Sequence, residues 1–258
     1  MTNSTTLPPL SSAQTAVSFI DWLTQARPRA VLLDLDGTLV DTVADFDVAL
    51  NQMLQQQQLP AITQAEIRQI VGKGSVHLIQ SILAVKLSQA GLESGPEAVQ
   101  QRFSAAWDAY LQTYLRINGQ YATVYPGVTQ GLQTLHDAGV RLAVVTNKPL
   151  ALAQPLLKVK QLDALVEFLY GGDSFDRKKP DPYPLLQACE RLQVPPEHTL
   201  MIGDSSNDAA AARAAGCGIA LLRYGYNHGE PIDAVPAHGH FDSIIPIAEA
   251  VQSSLLSV

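Results

Sequence analysis

One stretch, VLLDLDGTLVD from Val31 to Asp41, constrains this chain more than any other. Val31, Leu32 and Leu33 have the continuous apolar character of a strand buried on both faces, and Gly37 releases the chain into a turn. Two acids, Asp34 and Asp36, therefore stand at a strand's carboxyl end. In regular pleat they would share a face, and like charges so placed need something positive between them, for which a divalent cation is the obvious candidate. Such a pair suits phosphoryl transfer: one carboxylate attacks phosphorus, while the other gives a proton to the leaving oxygen and later takes one from water. By itself D-x-D-G-T serves a catalytic loop and an ordinary strand-ending turn equally well, so the rest of the chain must decide.

After this stretch the pattern becomes helical. Val43 to Gln58 repeats apolar residues at helical spacing (Val43, Phe46, Leu50, Met53, Leu54), and the segments Ser75 to Ala90 and Val99 to Tyr114 do the same. From Tyr125-Pro126-Gly127 onwards, helices and strands alternate. The expected helices are Val128–Ala138, Pro149–Val159, Asp181 to about Gln193, and Ala209–Ala215; the expected strands are Arg141–Val145, Ala164–Tyr170, Thr199–Ile202 and Ile219–Leu222. This alternation predicts an α/β fold, a Rossmann-like parallel sheet with helices on both faces and an inserted α-helical cap domain. The expected division is a tail and short helix (Thr15 to Arg27) within 1–28, an α/β core from 29–44 and 125–258, and a helical cap from 45–124.

Charge and composition remove several function classes. A net charge of −7 argues against a nucleic-acid partner, because phosphate backbones are gripped by basic surfaces. An anionic substrate would then need local positive charge from a metal or a few lysines. The chain has no apolar run long enough to span a bilayer and no signal-peptide pattern, so a cytoplasmic enzyme without a membrane partner is expected, as a monomer or homodimer. Cys189 and Cys217 match no metal or redox spacing and read as buried thiols in a reducing compartment.

In an open parallel sheet, ligands bind beyond the carboxyl ends of the strands. The unusual polar clusters of this chain all fall there: Asp34 and Asp36 after one strand, Thr146 and Asn147 after another, and Asp204, Asn207 and Asp208 after a third, with Lys179 in the loop before the Asp181 helix. Hydrolysis of a phosphate monoester would use Asp34 as nucleophile and Asp36 as general acid, then base. Mg²⁺ favours hard oxygen ligands, and the carboxylates of Asp34 and Asp204 with the main-chain carbonyl of Asp36 form a plausible set. Asp208 would hold a metal-bound water or orient Lys179. The Thr146 hydroxyl and the Asn147 backbone N–H would bind phosphate oxygens, and the Lys179 ammonium would stabilise the charged Asp34.

These four segments, DLDGTLVD (34–41), VVTNKP (144–149), KKPDP (178–182) and GDSSNDAAAARAAG (203–216), resemble the four motifs of the haloacid dehalogenase superfamily. Specifically, the chain is similar to the phosphoglycolate phosphatases from about Arg29 to its end. The resemblance implies the same roles for Asp34, Asp36, Thr146, Lys179, Asp204 and Asp208, Mg²⁺ as cofactor, and a small phosphorylated metabolite as substrate. VGKGS (71–75) sits where those phosphatases carry a Gly-x-Gly loop in the cap, and RYGYNHGEPI (223–232) resembles their loop after the last motif. Thr38, Asn147, Gly72, Lys73 and Gly74 are thus the substrate-binding candidates, with Lys73 expected to meet a substrate carboxylate. A solvated loop lysine explains Lys73 equally well. His77 reads as a helix-surface residue, and Arg223 as either an anion-binding group or a strand-end arginine. A sugar-phosphate mutase, a nucleotide phosphatase and a non-catalytic scaffold remain as alternatives at this point.

Overall fold

A computed structural model describes residues 18–256. At its centre is strand β1 (Ala30–Leu33), every residue of which is fully buried. It lies in a six-stranded sheet with β4 (Arg141–Val145), β5 (Phe168–Tyr170), β6 (Thr199–Gly203), β7 (Gly218–Leu222) and β8 (Gly239–Phe241), in the order β5-β4-β1-β6-β7-β8. All the pairings are parallel. The two halves of the sheet are wound outwards from β1, and this reversal of order opens a crevice at the strand ends. Register decides what meets there. Leu33 lies opposite Val144 on one side and Ile202 on the other, and Asp34 N–H extends the ladder to the Ile202 carbonyl at 3.0 Å. Asp34, Thr146 and Asp204 are therefore carried to one rim.

Helices cover both faces of the sheet: α6 (Val128–Asp137), α7 (Leu150–Val159) and α10 (Ile245–Leu256) share an apolar cluster with one face, and α8 (Tyr183–Leu192) and α9 (Ser206–Ala215) with the other. The helix α1 (Phe19–Ala26) is capped by Ser18 and packs on the core, with Phe19 edge-on to Phe241 at 4.9 Å and Trp22 seated over Gly218. The expectation of a helix from Thr15 falls partly outside the described residues, as does the whole of the tail expected at 1–12.

Two of the shifted boundaries have a clear local cause. The strand expected from Ala164 begins at Phe168, because only Phe168–Tyr170 has a partner in β4 while 163–165 form a 3₁₀ turn. Helix α9 begins at Ser206 instead of Ala209, because Ser205 and Asp208 form a reciprocal capping box. The short helix α3 (Gln64–Ile70), strand β8 and helix α10 were not anticipated.

The helical insertion enters after the short strand β2 (Val40–Asp41) and leaves through β3 (Thr123–Val124), which pairs with β2 antiparallel. Its helices α2 (Val43–Gln56), α3, α4 (Ser75–Gln89) and α5 (Pro96–Ile117) enclose their own apolar cluster, in which Leu50, Met53, Tyr110 and Tyr114 are fully buried. Each such side chain contributes about 1.5–3 kcal/mol through removal from water. Both connections are pinned by one residue: the buried Asp45 carboxylate accepts from the N–H groups of Gly119 at 2.6 Å, Tyr121 at 2.8 Å and Ala122 at 3.1 Å. Without it, three backbone donors would lose their acceptor, at a cost of about 1–3 kcal/mol for each that stayed buried.

Candidate active site

Asp34 follows β1 and is nearly buried. Its Oδ1 accepts from Leu35 N–H at 2.7 Å and from the Lys179 ammonium at 3.0 Å, which leaves Oδ2 without a hydrogen bond among the described residues. Lys179 is itself buried and donates to Asp208 Oδ1 at 2.7 Å. The other oxygen of Asp208 accepts from Asp204 N–H, Ser205 N–H and the Ser205 hydroxyl. Asp208 thus aims Lys179 and braces the start of α9, and its carboxylate also belongs to the group of acids that could hold a cation.

Asp204 immediately follows the neighbouring strand β6. Its Oδ1 accepts from the Thr38 hydroxyl and its Oδ2 from Tyr226 N–H, each at 2.6 Å. Two glycines make room for it, since a Cβ on Gly37 (φ +86°) or on Gly225 would collide with the Asp204 side chain. Oxygens of Asp34, Asp204 and Asp208 lie within 4.8 Å of one another. Burial pushes the Asp34 carboxyl up to about 6 despite the opposing charge of Lys179. Burial, then repulsion from Asp208 and Asp34, holds Asp204 well above the usual carboxylate range. Burial works to lower Lys179 as well, but Asp208 and Asp34 outweigh it and keep the ammonium charged. Three acids facing one buried lysine form a charge-deficient cluster of hard oxygen donors, and this donor set fits a cation such as Mg²⁺.

Asp36 points elsewhere. Its Oδ1 accepts from the Thr42 hydroxyl at 2.7 Å and from Lys148 at 3.0 Å, and its Oδ2 lies 3.3 Å from the same ammonium. Lys148 was missed in the sequence. Its side chain is buried, donates to Tyr114 OH at 2.8 Å and lies over the Phe46 and Tyr114 rings at 4.7 and 4.6 Å from their centres. Both aromatic residues belong to the insertion. The signal was the lysine of T-N-K-P itself, adjacent to two residues already singled out.

A cavity of about 20 Å³ separates core from insertion. Asp34, Asp36, Thr146, Asn147 and Lys148 line it from below, and Phe46, Val71, Gly72, Gly74, Ser75 and Leu78 from above. Gly72 (φ +113°) and Gly74 (φ +90°) turn the loop so that its carbonyls face core donors: Gly72 O accepts from Asn147 Nδ2 at 3.2 Å, and Lys73 O from Lys178 Nζ at 3.0 Å. The same turn leaves the Lys73 side chain exposed and off the lining of this closed cavity. Thr38 is fully buried, and its hydroxyl donates to Asp204, away from the cavity lining. The Asn147 side chain is committed to Gly72 O and Lys179 O, so only its backbone stays available for a phosphate. His77 is exposed, and Arg223 pairs at the surface with Asp233 and Asp242. Among the described residues no helix is long and apolar enough to cross a membrane.

Comparison with known proteins agrees with this geometry. The sequence model of the haloacid dehalogenase-like hydrolases matches residues 28–216. A phosphoglycolate phosphatase of Nitrosospira multiformis is 37% identical over 226 residues, which are 88% of this chain and 96% of that protein. A plasmid-encoded phosphoglycolate phosphatase of Cupriavidus necator is 42% identical over 197 residues, 76% of this chain and 81% of its own length. The crystal structure of a predicted phosphoglycolate phosphatase from Haemophilus somnus superposes with a TM-score of 0.82 at 31% identity, covering 86% of this chain and 97% of the other. An acid-lysine cluster at the switch point of a parallel sheet, beneath a helical insertion, thus coincides with a family match over most of the chain, which belongs to the haloacid dehalogenase-like hydrolases.

Proposed function

We propose that this chain is a Mg²⁺-dependent phosphatase that hydrolyses 2-phosphoglycolate to glycolate and phosphate. The observation that carries the reading is Asp34: a buried carboxylate held through one oxygen by Lys179, with its other oxygen uncommitted beneath a small cavity and Asp36 beside it. Asp34 attacks phosphorus as the ester P–O bond breaks, and Asp36 gives its proton to the departing glycolate oxygen. Asp36 then takes a proton from water, whose oxygen attacks the same phosphorus and releases phosphate and the free Asp34 carboxylate. Mg²⁺, held by the Asp34 and Asp204 carboxylates and the Asp36 main-chain carbonyl, would supply charge neutralisation at the transferring group. Lys179 offsets negative charge on Asp34 and the phosphoryl oxygens, while the Thr146 hydroxyl and the Asn147 backbone N–H bind those oxygens.

The helical insertion acts as a cap. A cavity of about 20 Å³ holds one or two waters, less than a phosphate ester needs, so the cap swings open on its two connections to admit substrate and excludes bulk water when closed. The relatives' names support glycolate as the leaving group, and the small cavity supports a small ester. A cytoplasmic setting accords with the two free thiols. The test is phosphate release from a panel of monoesters ranked by kcat/KM, with and without EDTA and with Asp34→Asn. The reading expects 2-phosphoglycolate to lead the panel, with activity lost to chelation and to the substitution; chelator-resistant turnover or a fully active variant would overturn it.

A further inference from the structure

We propose that Lys148 is the specificity-determining residue that receives the carboxylate of the substrate. The inference rests on the phosphoglycolate reading above and assigns the anion-reading task to the core instead of the cap loop. Among the described residues, Lys148 is the one cation lining the cavity. Lys179 lies off that lining, held between Asp34 and Asp208, and the Lys73 side chain is exposed.

Position supports the assignment. The Lys148 ammonium touches both oxygens of Asp36, at 3.0 and 3.3 Å, and Asp36 is the group placed to protonate the ester oxygen. In 2-phosphoglycolate the carboxylate carbon is two bonds from that oxygen. A cation beside Asp36 is therefore beside the substituent that distinguishes this ester from an uncharged one. The ammonium is also poorly hydrated: its side chain is 1% exposed and rests on the faces of Phe46 and Tyr114. A desolvated ammonium binds an anion more strongly than a solvated one, through charge-assisted hydrogen bonds. Asp36 holds the ammonium from the core, and because both rings and the Tyr114 hydroxyl come from the cap, its desolvated setting is complete only when the cap is closed. Reading the carboxylate and closing the cap then become one event, and an ester without the anion gains less from closure.

The competing account makes Lys148 a counter-ion that only steadies Asp36. Ethyl phosphate separates the two, since a methyl group replaces the carboxylate and the ester is otherwise the same. Initial rates on both esters are measured for the wild type, Lys148→Met and Lys148→Arg, with thermal melting of each protein. The expected result is a preference of the wild type for 2-phosphoglycolate that Lys148→Met reduces by about 10- to 100-fold, mainly through KM, with Lys148→Arg restoring part of it. Equal losses on both esters, or an intact preference, would overturn the proposal, as would loss of the preference in Lys73→Met instead. If Lys148→Met does not melt cooperatively, Lys148→Gln, which removes the charge and keeps a polar donor, is measured against the same criteria. A wild type with no preference between the esters would instead sink the substrate reading, so the two failures are distinguishable.

Discussion

The floor and the roof of the cavity are built on opposite terms. The floor, at the carboxyl ends of β1, β4, β5 and β6, gathers four acids and two lysines, almost all buried and paired: Lys179 with Asp34 and Asp208, Lys148 with Asp36, and Asp204 with Thr38 and Tyr226. The roof, supplied by α2, the Gly72–Gly74 loop and α4, presents Phe46, Val71, Leu78, two glycines and Ser75, and no charge. The difference teaches that charge chemistry belongs to the rigid sheet, where geometry is fixed by register, while the insertion contributes shape and dryness. Selection by charge is then also a task of the floor.

Substitutions on the two sides should separate accordingly. The largest effect is expected on the floor: Asp34→Asn removes the proposed nucleophile and should lower kcat by at least about 10⁴-fold with KM little changed, measured by phosphate release. Lys179→Met comes next. It should lower kcat by about 10²- to 10³-fold, because neutralisation at Asp34 is lost while the remaining groups still bind. On the roof, Gly72→Ala would force a side chain into φ +113° and place its Cβ 2.8 Å from the His228 ring. It should raise KM by about 10-fold and leave Mg²⁺ affinity, read by calorimetry, as in the wild type. Equal effects of Gly72→Ala and Lys179→Met on kcat would break the division of labour.

A pH experiment sharpens the same contrast. The folded, metal-free chain keeps a proton on Asp34 up to about 6, whereas the unfolded chain releases it near its ordinary value of 3.8. The folded state binds more protons between these values, so Asp34 favours folding at low pH and that contribution declines as pH rises through about 6. Asp204, held well above the usual range, acts in the same direction. Differential scanning calorimetry in EDTA should therefore show these groups lowering Tm as pH rises from 4.5 to 7.5. Mg²⁺, which needs the ionised carboxylates, should raise Tm more at pH 7.5 than at 5, by a few degrees. The smallest effect is expected far from the cavity: Arg223→Ala breaks two exposed ion pairs and should change stability by less than about 1 kcal/mol and kcat/KM by less than about 2-fold.

Much of the floor was legible in the sequence for a physical reason. Parallel strands buried on both faces are continuous apolar runs, so Val31–Leu33, Arg141–Val145 and Thr199–Ile202 stand out, and the residues that follow each run meet at one rim once the strands are paired. Less legible was anything that depends on side-chain direction. VGKGS pointed to the right loop, but the turn that exposes Lys73 arises from its fit against Asn147 and Lys178. Lys148 is buried only because Phe46 and Tyr114 arrive from the insertion, which no local pattern in T-N-K-P records. Asp45 has no local signal beyond being an acid in the first turn of α2, and its role at the two connections needs Gly119 to Ala122 folded against it. Helix α10 was missed although its Ile247, Ala248 and Val251 are all buried, because their spacing over so short a segment does not stand out.

The central claim is that the gathered acids and Lys179 let Asp34 carry the phosphoryl group for part of each turnover. Rapid quenching of a single turnover with excess enzyme and Mg²⁺, followed by borohydride reduction and peptide mass spectrometry, tests it at the residue. The account predicts homoserine at position 34, formed by reduction of an aspartyl phosphate, in wild type and none in Asp34→Asn. Substrate consumed with position 34 unmodified, or the reduced residue found at another acid, would contradict it.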